Sequence, residues 1–225
     1  MKFYDITEYL RANYDAEAIL LYGSYARGDF TRSSDIDIAI FGPSYTEATP
    51  PKNIFFKGKR LDLWLYGLSD LKEPNSNFLK LTNSKILFDK YNQADDFLNS
   101  LNDLMKKGPK PLTEAEIRHL YYWLESMISR IDEDTIDALY RRHLLLIELF
   151  ESYFSINTLW FLGSKNSEAW LKVNDREVFY LLKKAMSPES TALDIVTLFR
   201  KIFTHLEKRY NLISTREVVN GKLAW

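Results

Sequence analysis

The chain has 225 residues, 46% of them hydrophobic and 27% charged, with 30 Lys and Arg against 31 Asp and Glu for a net charge of -1. That is long enough for one large or two modest domains with a buried core, and the composition is that of a folded protein rather than a disordered one. The near balance of charge argues against a protein whose main task is to coat nucleic acid or an anionic membrane, and the lack of cysteine excludes disulfides, thiolate chemistry and Cys-ligated zinc.

The first half reads as mixed α/β. Ile6 to Tyr14 predicts a helix with Ile6, Leu10 and Tyr14 on one face, and Ala18 to Tyr22 a short apolar strand ending at Gly23. Ile36 to Phe41, Ile54 to Lys57 and Arg60 to Tyr66 predict three more strands, with Lys57-Gly58-Lys59-Arg60 as the hairpin turn between the last two. The stretch from Gly42 to Asn53 holds three prolines and reads as a loop. Lys106-Lys107-Gly108-Pro109-Lys110-Pro111 cannot continue a helix and marks a linker, so the expected domains are residues 1–108 and 109–225.

Beyond the linker, Thr113 and Glu116 form a capping box that opens a helix. Apolar stripes follow at three- and four-residue steps: Ile117, Leu120, Tyr121, Leu124, Ile128 and Ile131, then Ile136, Leu139, Tyr140, Ile147, Phe150 and Phe154. A third stripe, Val196, Phe199, Phe203, Leu206 and Tyr210, is entered through Ser187-Pro188. These are packing faces, and the second half is expected to be an all-α bundle. His119 and His143 read as partly buried helix residues, and Trp123, Trp160 and Trp170 as mainly core. Arg200 and His205 match the loose Arg-x4-His pattern of helical ribonucleases, but a five-residue step on a helix sends two side chains to different faces. The N-terminus lacks a signal peptide's apolar stretch, and the longest apolar run, Leu144 to Ile147, is far too short for a bilayer, so a cytoplasmic protein without a membrane partner is expected.

The chemistry concentrates in Tyr22-Gly23-Ser24, ten intervening residues, and Asp35-Ile36-Asp37-Ile38. A glycine after a strand lets the backbone approach a phosphate, and Ser24 adds a hydroxyl donor. Strand alternation puts Asp35 and Asp37 on one face, with Ile36, Ile38 and Ile40 on the other. Two adjacent carboxylates repel unless a cation lies between them, and Mg²⁺ is suited to few carboxylates plus substrate phosphates. In Arg60-Leu61-Asp62-Leu63-Trp64-Leu65 a third acid, Asp62, faces away from Leu61, Leu63 and Leu65. If its strand neighbours that of Asp35, three carboxylates converge where two metal ions bind. A tight turn with exposed acids is the plain alternative, opposed by the agreement of spacing, strand placement and third acid. For Asp62 a solvent-facing strand acid remains open. Arg27 and Arg32 lie between loop and acids, where a phosphate contact and a surface ion pair with Asp29 are both open.

Gly23-Ser24-Tyr25-Ala26-Arg27-Gly28 with Asp35-Ile36-Asp37 resembles the signature of the DNA polymerase β nucleotidyltransferase superfamily, most nearly the branch holding the minimal antitoxin-type and the aminoglycoside-modifying enzymes. The resemblance spans residues 18–66. It implies a small mixed sheet flanked by helices, Mg²⁺ (two ions), and transfer of a nucleoside monophosphate, AMP from ATP in the leading case, with release of pyrophosphate. It also implies that Gly23 and Ser24 form the phosphate loop, that Asp35 and Asp37 are the metal pair and that Asp62 is the third acid. The helical half resembles, more loosely, the C-terminal domain of the aminoglycoside-type enzymes, where a lysine after a glycine-containing turn reaches the triphosphate; Phe161-Leu162-Gly163-Ser164-Lys165 offers Lys165, with an ordinary surface lysine as the alternative. The expected partners are a nucleoside triphosphate and a small-molecule hydroxyl acceptor such as an aminoglycoside-like antibiotic, bound by the helical half. Nucleic acid is not expected; a homodimer is compatible. Nucleotidylation of a partner protein and a catalytically idle nucleotide-binding module are the competing readings.

Overall fold

The computed structural model of the chain describes residues 2–45, 49–213, 217–219 and 222–224. Ala18–Tyr22 (β1) is apolar at every position and buried throughout, the pattern of a strand covered on both faces. It is flanked in a five-stranded mixed sheet of order β3-β4-β2-β1-β5, built with Ile36–Gly42 (β2), Thr49–Phe56 (β3), Lys59–Gly67 (β4) and Lys85–Asp89 (β5). β2 and β4 run parallel and the other pairs antiparallel.

The two-residue period of the strands divides the side chains into two cores. On one face Ile19, Leu21, Ile36, Ile38, Ile40, Leu61, Leu63 and Leu65 meet Ile6 and Leu10 of Phe3–Asn13 (α1) and Ala26 of Gly23–Arg27 (α2). On the other, Leu20, Ala39, Phe41 and Tyr66 meet Phe78 and Leu81 of a 3₁₀ turn, Ser76–Leu81, and Phe97 and Leu101 of Ala94–Lys107 (α3). Asp37 and Asp62 belong by alternation to this second face, at its rim.

The hairpin turn lies where the sequence places it, with Lys57 and Gly58 both at positive φ, 46° and 77°, the pairing that joins twisted strands most tightly. The expected loop over 42–53 is shorter than read: β3 begins at Thr49 and includes Pro50 and Pro51, while residues 46–48 lie outside the described ones. Prolines are tolerated there because β3 is an outer strand, hydrogen-bonded on one side only, and its register with β4 shifts between Thr49 and Lys52.

The chain divides into two compact units, Met1–Lys107 and Gly108–Trp225. The second holds Glu114–Ile128 (α4), Ile136–Ile156 (α5), Ser164–Asn174 (α6), Arg176–Ala185 (α7) and Ala192–Tyr210 (α8), followed by a short strand pair, Glu217–Val219 (β6) and Lys222–Ala224 (β7). The fold class is therefore an α/β sheet unit with flanking helices plus a helical unit. None of the described helices is long and apolar enough to cross a membrane.

The α4 cap forms as a reciprocal pair: the Glu116 amide donates to Thr113 Oγ1 at 3.3 Å, and the Thr113 amide to Glu116 Oε2 at 2.7 Å. Thr113→Ala is expected to cost the helical unit about 1 kcal/mol, a fall of roughly 2–8 °C in its melting temperature by scanning calorimetry. An unchanged melt would show that the cap contributes nothing.

The apolar stripe read for α5 needs correction. Phe150 and Phe154 are buried as read, but Ile136, Leu139, Tyr140 and Ile147 are exposed, and the helix buries Leu145, Leu146, Leu149 and Tyr153 beside the two phenylalanines. The helix has two apolar faces, and periodicity alone does not say which one meets the core. α8 likewise starts later than Ser187-Pro188, at Ala192, where Thr191 and Asp194 cap it reciprocally. His119 and His143 are exposed rather than half-buried, and Trp123 keeps 37% of its surface open.

Candidate active site

β1 delivers the chain to Gly23, which turns it at φ +68° into the one-and-a-half-turn α2; Gly28, at φ +87°, closes that helix by donating its amide to the Ser24 carbonyl at 2.9 Å. Gly23 is required for a second reason. A Cβ built on it would stand 2.0 Å from Asp37 Oδ2, inside any permitted contact. The glycine thus lets the β1–α2 corner and the Asp37 carboxylate share one small space.

Sheet register does the rest. Tyr22 pairs with Asp37 across β1 and β2, and Asp37 pairs with Asp62 across β2 and β4. Register partners project from the same face, so Tyr22, Asp37 and Asp62 stand in a row across three strands about 4.8 Å apart. The electrostatics follow from that row. Burial pushes the Asp37 carboxyl above the usual aspartate range, and Asp62 and then Asp35 push it further, against a downward pull from Arg27 and Lys80. The Tyr22 hydroxyl is raised by burial and then by Asp37 and Asp62; that of Tyr66 is pushed up to about 12 by burial, Asp70 and Asp62.

Asp62 Oδ1 is buried and accepts no hydrogen bond. A buried carboxylate oxygen without a donor, next to a second carboxylate in a site of raised acid pKa, is the donor chemistry that a hard divalent cation satisfies. The Asp37–Asp62 pair therefore fits such an ion.

Asp35 is placed differently. It precedes β2, and its Oδ2 lies 3.5 Å from Arg60 Nε, which also donates to Asn53 Oδ1 at 3.1 Å. Among the described residues, no three His, Cys, Asp or Glu side chains gather as a metal-holding group. Asp35 thus lies just outside the strand ladder, beside the Arg60 guanidinium and near enough to Asp37 to raise its carboxyl.

The remaining sequence-predicted residues are spread around this core. Ser24 is half-buried at the start of α2. Arg27 makes an ion pair with Asp29 at 3.2 Å. Arg32 is exposed, and its carbonyl accepts from Lys59 at 3.3 Å. Lys165 is exposed in the first turn of α6, after Gly163 at φ +79°, and belongs to the helical unit.

Sequence reasoning misses Lys80. It sits on the 3₁₀ turn Ser76–Leu81, whose Phe78 and Leu81 anchor it in the sheet core. Its ammonium lies 3.5 Å from the centre of the Trp64 ring, 5.7 Å from that of Tyr22 and 5.9 Å from that of Tyr66. Surrounding protein lowers its pKa by desolvation, against an upward pull from Asp62 and Asp37. The available signal was that Trp64 and Tyr66 continue the alternation begun at Asp62, so that aromatic rings flank the acids on one face.

Residues 4–102 match the family model of the nucleotidyltransferase domain, a span that includes β1, α2, β2, β4 and the Lys80 turn. The match supports the nucleotidyltransferase superfamily for the sheet unit, and nucleotidyl transfer as its class of activity. A nucleotidyltransferase-like protein from Exiguobacterium sibiricum 255-15 is similar in structure, with a TM-score of 0.44 and 13% identity over 98% of this chain and 83% of that one. No curated protein matches the chain.

Proposed function

We propose that the protein transfers a nucleoside monophosphate, AMP from ATP in the leading case, to a hydroxyl of a small molecule in a Mg²⁺-dependent reaction. The observation that carries this reading is the Asp37–Asp62 row beside Gly23, with a buried Asp62 oxygen that lacks a donor. In the reaction the acceptor oxygen attacks the α-phosphorus, the bond from that phosphorus to the bridging oxygen breaks, and pyrophosphate leaves with the bonding pair. The acceptor proton passes to solvent or to an acidic side chain of the site.

Asp37 and Asp62 would hold the divalent ion, with Asp35 joining as a ligand once Arg60 releases it; a second ion with the triphosphate is part of this reading. Bound there, the metal supplies charge stabilisation for the developing phosphate and pyrophosphate oxygens. Gly23 gives the backbone close approach to the phosphates, and Ser24 a hydroxyl donor. Arg27, Arg32 and Lys165 are proposed as further phosphate contacts, Arg27 by exchanging Asp29 for the anion.

The helical unit supports an acceptor role through a cavity of about 580 Å³ lined by Phe150, Phe161, Phe179, Leu182 and the carboxylates Glu151 and Glu168. Lys183 and Ser164 also line it, so the mainly apolar walls carry both charges and a hydroxyl, which suits a hydroxyl-bearing small molecule; the aminoglycoside-like acceptor rests on the resemblance and not on this lining.

Incubating the protein with labelled ATP, Mg²⁺ and a panel of hydroxyl-bearing small molecules should produce an adenylylated product and pyrophosphate in equal amounts. Label appearing on protein, with none on any small molecule, would replace this reading with nucleotidylation of a partner. Metal and triphosphate binding with unchanged behaviour of Asp37→Asn would favour an idle nucleotide-binding module.

A further inference from the structure

Lys80 is the feature of the sheet unit that the reaction above leaves without a task. The three rings around its ammonium locate it. Tyr22 is on β1, Trp64 and Tyr66 are on β4, and β2 runs between those strands. Trp64 is the register partner of Ala39, and Asp62 that of Asp37. The ammonium therefore lies over β2 on the face that carries the two acids, within about one strand repeat of them. Two residues of strand span about 7 Å.

A positive charge at that range acts on whatever binds the acids. It repels a bare divalent cation, charge +2, and attracts a magnesium–nucleoside triphosphate complex, net charge about -2. Lys80 is exposed as a residue, but its ammonium rests on the Trp64 ring face, and the turn that carries it is anchored by Phe78 and Leu81 and capped by Asn75, whose side chain accepts from the Asn77 amide at 3.0 Å.

We propose that Lys80 biases the Asp37–Asp62 pair against free divalent metal and toward metal delivered as its nucleoside triphosphate complex. The inference rests on the nucleotidyltransferase reading of the site. It makes Lys80 a specificity residue, keeping the acid pair from being filled by metal in the absence of donor substrate.

The test measures two affinities on the full chain. Mn²⁺ alone is titrated by electron paramagnetic resonance, and Mg²⁺ with a non-hydrolysable ATP analogue by calorimetry. Lys80→Met is expected to bind bare Mn²⁺ roughly tenfold more tightly and the metal–analogue complex roughly tenfold more weakly, while Lys80→Arg stays near wild type in both. Changes of opposite sign are the signature, since a general loosening of the site would weaken both. If Lys80→Met does not fold, Lys80→Gln carries the same comparison. Affinities that are unchanged, or that both fall, would overturn this inference alone. If the wild-type protein binds neither ligand, or if Asp37→Asn binds both normally, the nucleotidyltransferase reading falls and this inference with it.

Discussion

Asp37→Asn is expected to reduce nucleotidyl transfer by at least about 10³-fold while raising the melting temperature of the metal-free protein. The loss follows from removing one of the two carboxylates proposed to hold the ion, and with it the charge stabilisation proposed for the departing pyrophosphate. The gain follows from the environment of Asp37. Its carboxyl is raised chiefly by burial and next by Asp62 and Asp35, so its ionised form is under strain near neutral pH. A folded-state pKa above the unfolded one means that the native state binds the proton more tightly. The corresponding stability is present below about pH 3.9, the ordinary aspartate value, and is lost as pH rises through the raised value. The asparagine variant, which does not ionise, should therefore melt a few degrees above wild type at pH 7, with the gap closing as the pH falls toward 4. Differential scanning calorimetry in chelator across that range, with the labelled-ATP assay, measures both effects. A variant that retains transfer, or that melts below wild type at pH 7, would remove Asp37 from the role given to it.

Gly23→Ala should be the most damaging single methyl in the sheet unit. Alanine at φ +68° is strained by about 1–2 kcal/mol, and its Cβ would fall 2.0 Å from Asp37 Oδ2 and 2.8 Å from Asp37 Cγ. Either the turn or the carboxylate must move. The total cost is expected at about 2–4 kcal/mol, on the order of 10–20 °C in the melting temperature of a unit this size, with transfer lost in the fraction that folds. The mechanism predicts coupling: adding Asp37→Ala removes the clashing atoms, so the double variant should be more stable than Gly23→Ala alone. Strictly additive losses in thermal melts would show that the damage comes from the backbone and not from the acid. By contrast, Gly28→Ala meets no atom within 4 Å and should carry only the backbone penalty.

Most of this site is legible in the sequence where its determinants are local. The strand ending in Tyr22-Gly23-Ser24 and the alternation of Asp37 against Ile36, Ile38 and Ile40 depend on neighbours in the chain, and the buried isoleucines match that reading. The pairing of Asp37 with Asp62 is non-local; alternation shows which face each acid takes, but only the parallel register of β2 with β4 puts them side by side. Asp35 lies one residue before β2, close enough to Asp37 to raise its carboxyl, and the Arg60 ion pair it makes at 3.5 Å comes from β4, which the local sequence pattern does not reveal. Lys80 has no periodic signature at all, since a six-residue 3₁₀ turn is too short to show one and its partner rings come from two strands. β5 and α3 are missed for a different reason. β5 is four half-exposed residues after an exposed Lys85, beside strongly patterned neighbours, whereas Phe97 and Leu101 carry a helical step into the core. In α5 the ambiguity is physical: with apolar residues on two faces, the choice of buried face is made by the other helices.

The prolines of the outer strand bear on assembly. Pro50 and Pro51 lie inside the register shift between Thr49 and Lys52, and neither carries an amide hydrogen, so this stretch of the outer strand offers no backbone donor. A second copy arriving at that border would find an interrupted template, which protects the sheet against edge-to-edge aggregation. The interruption is confined to the start of the strand, so the feature shapes how that end of the border could pair and leaves residues 52–56 as ordinary edge.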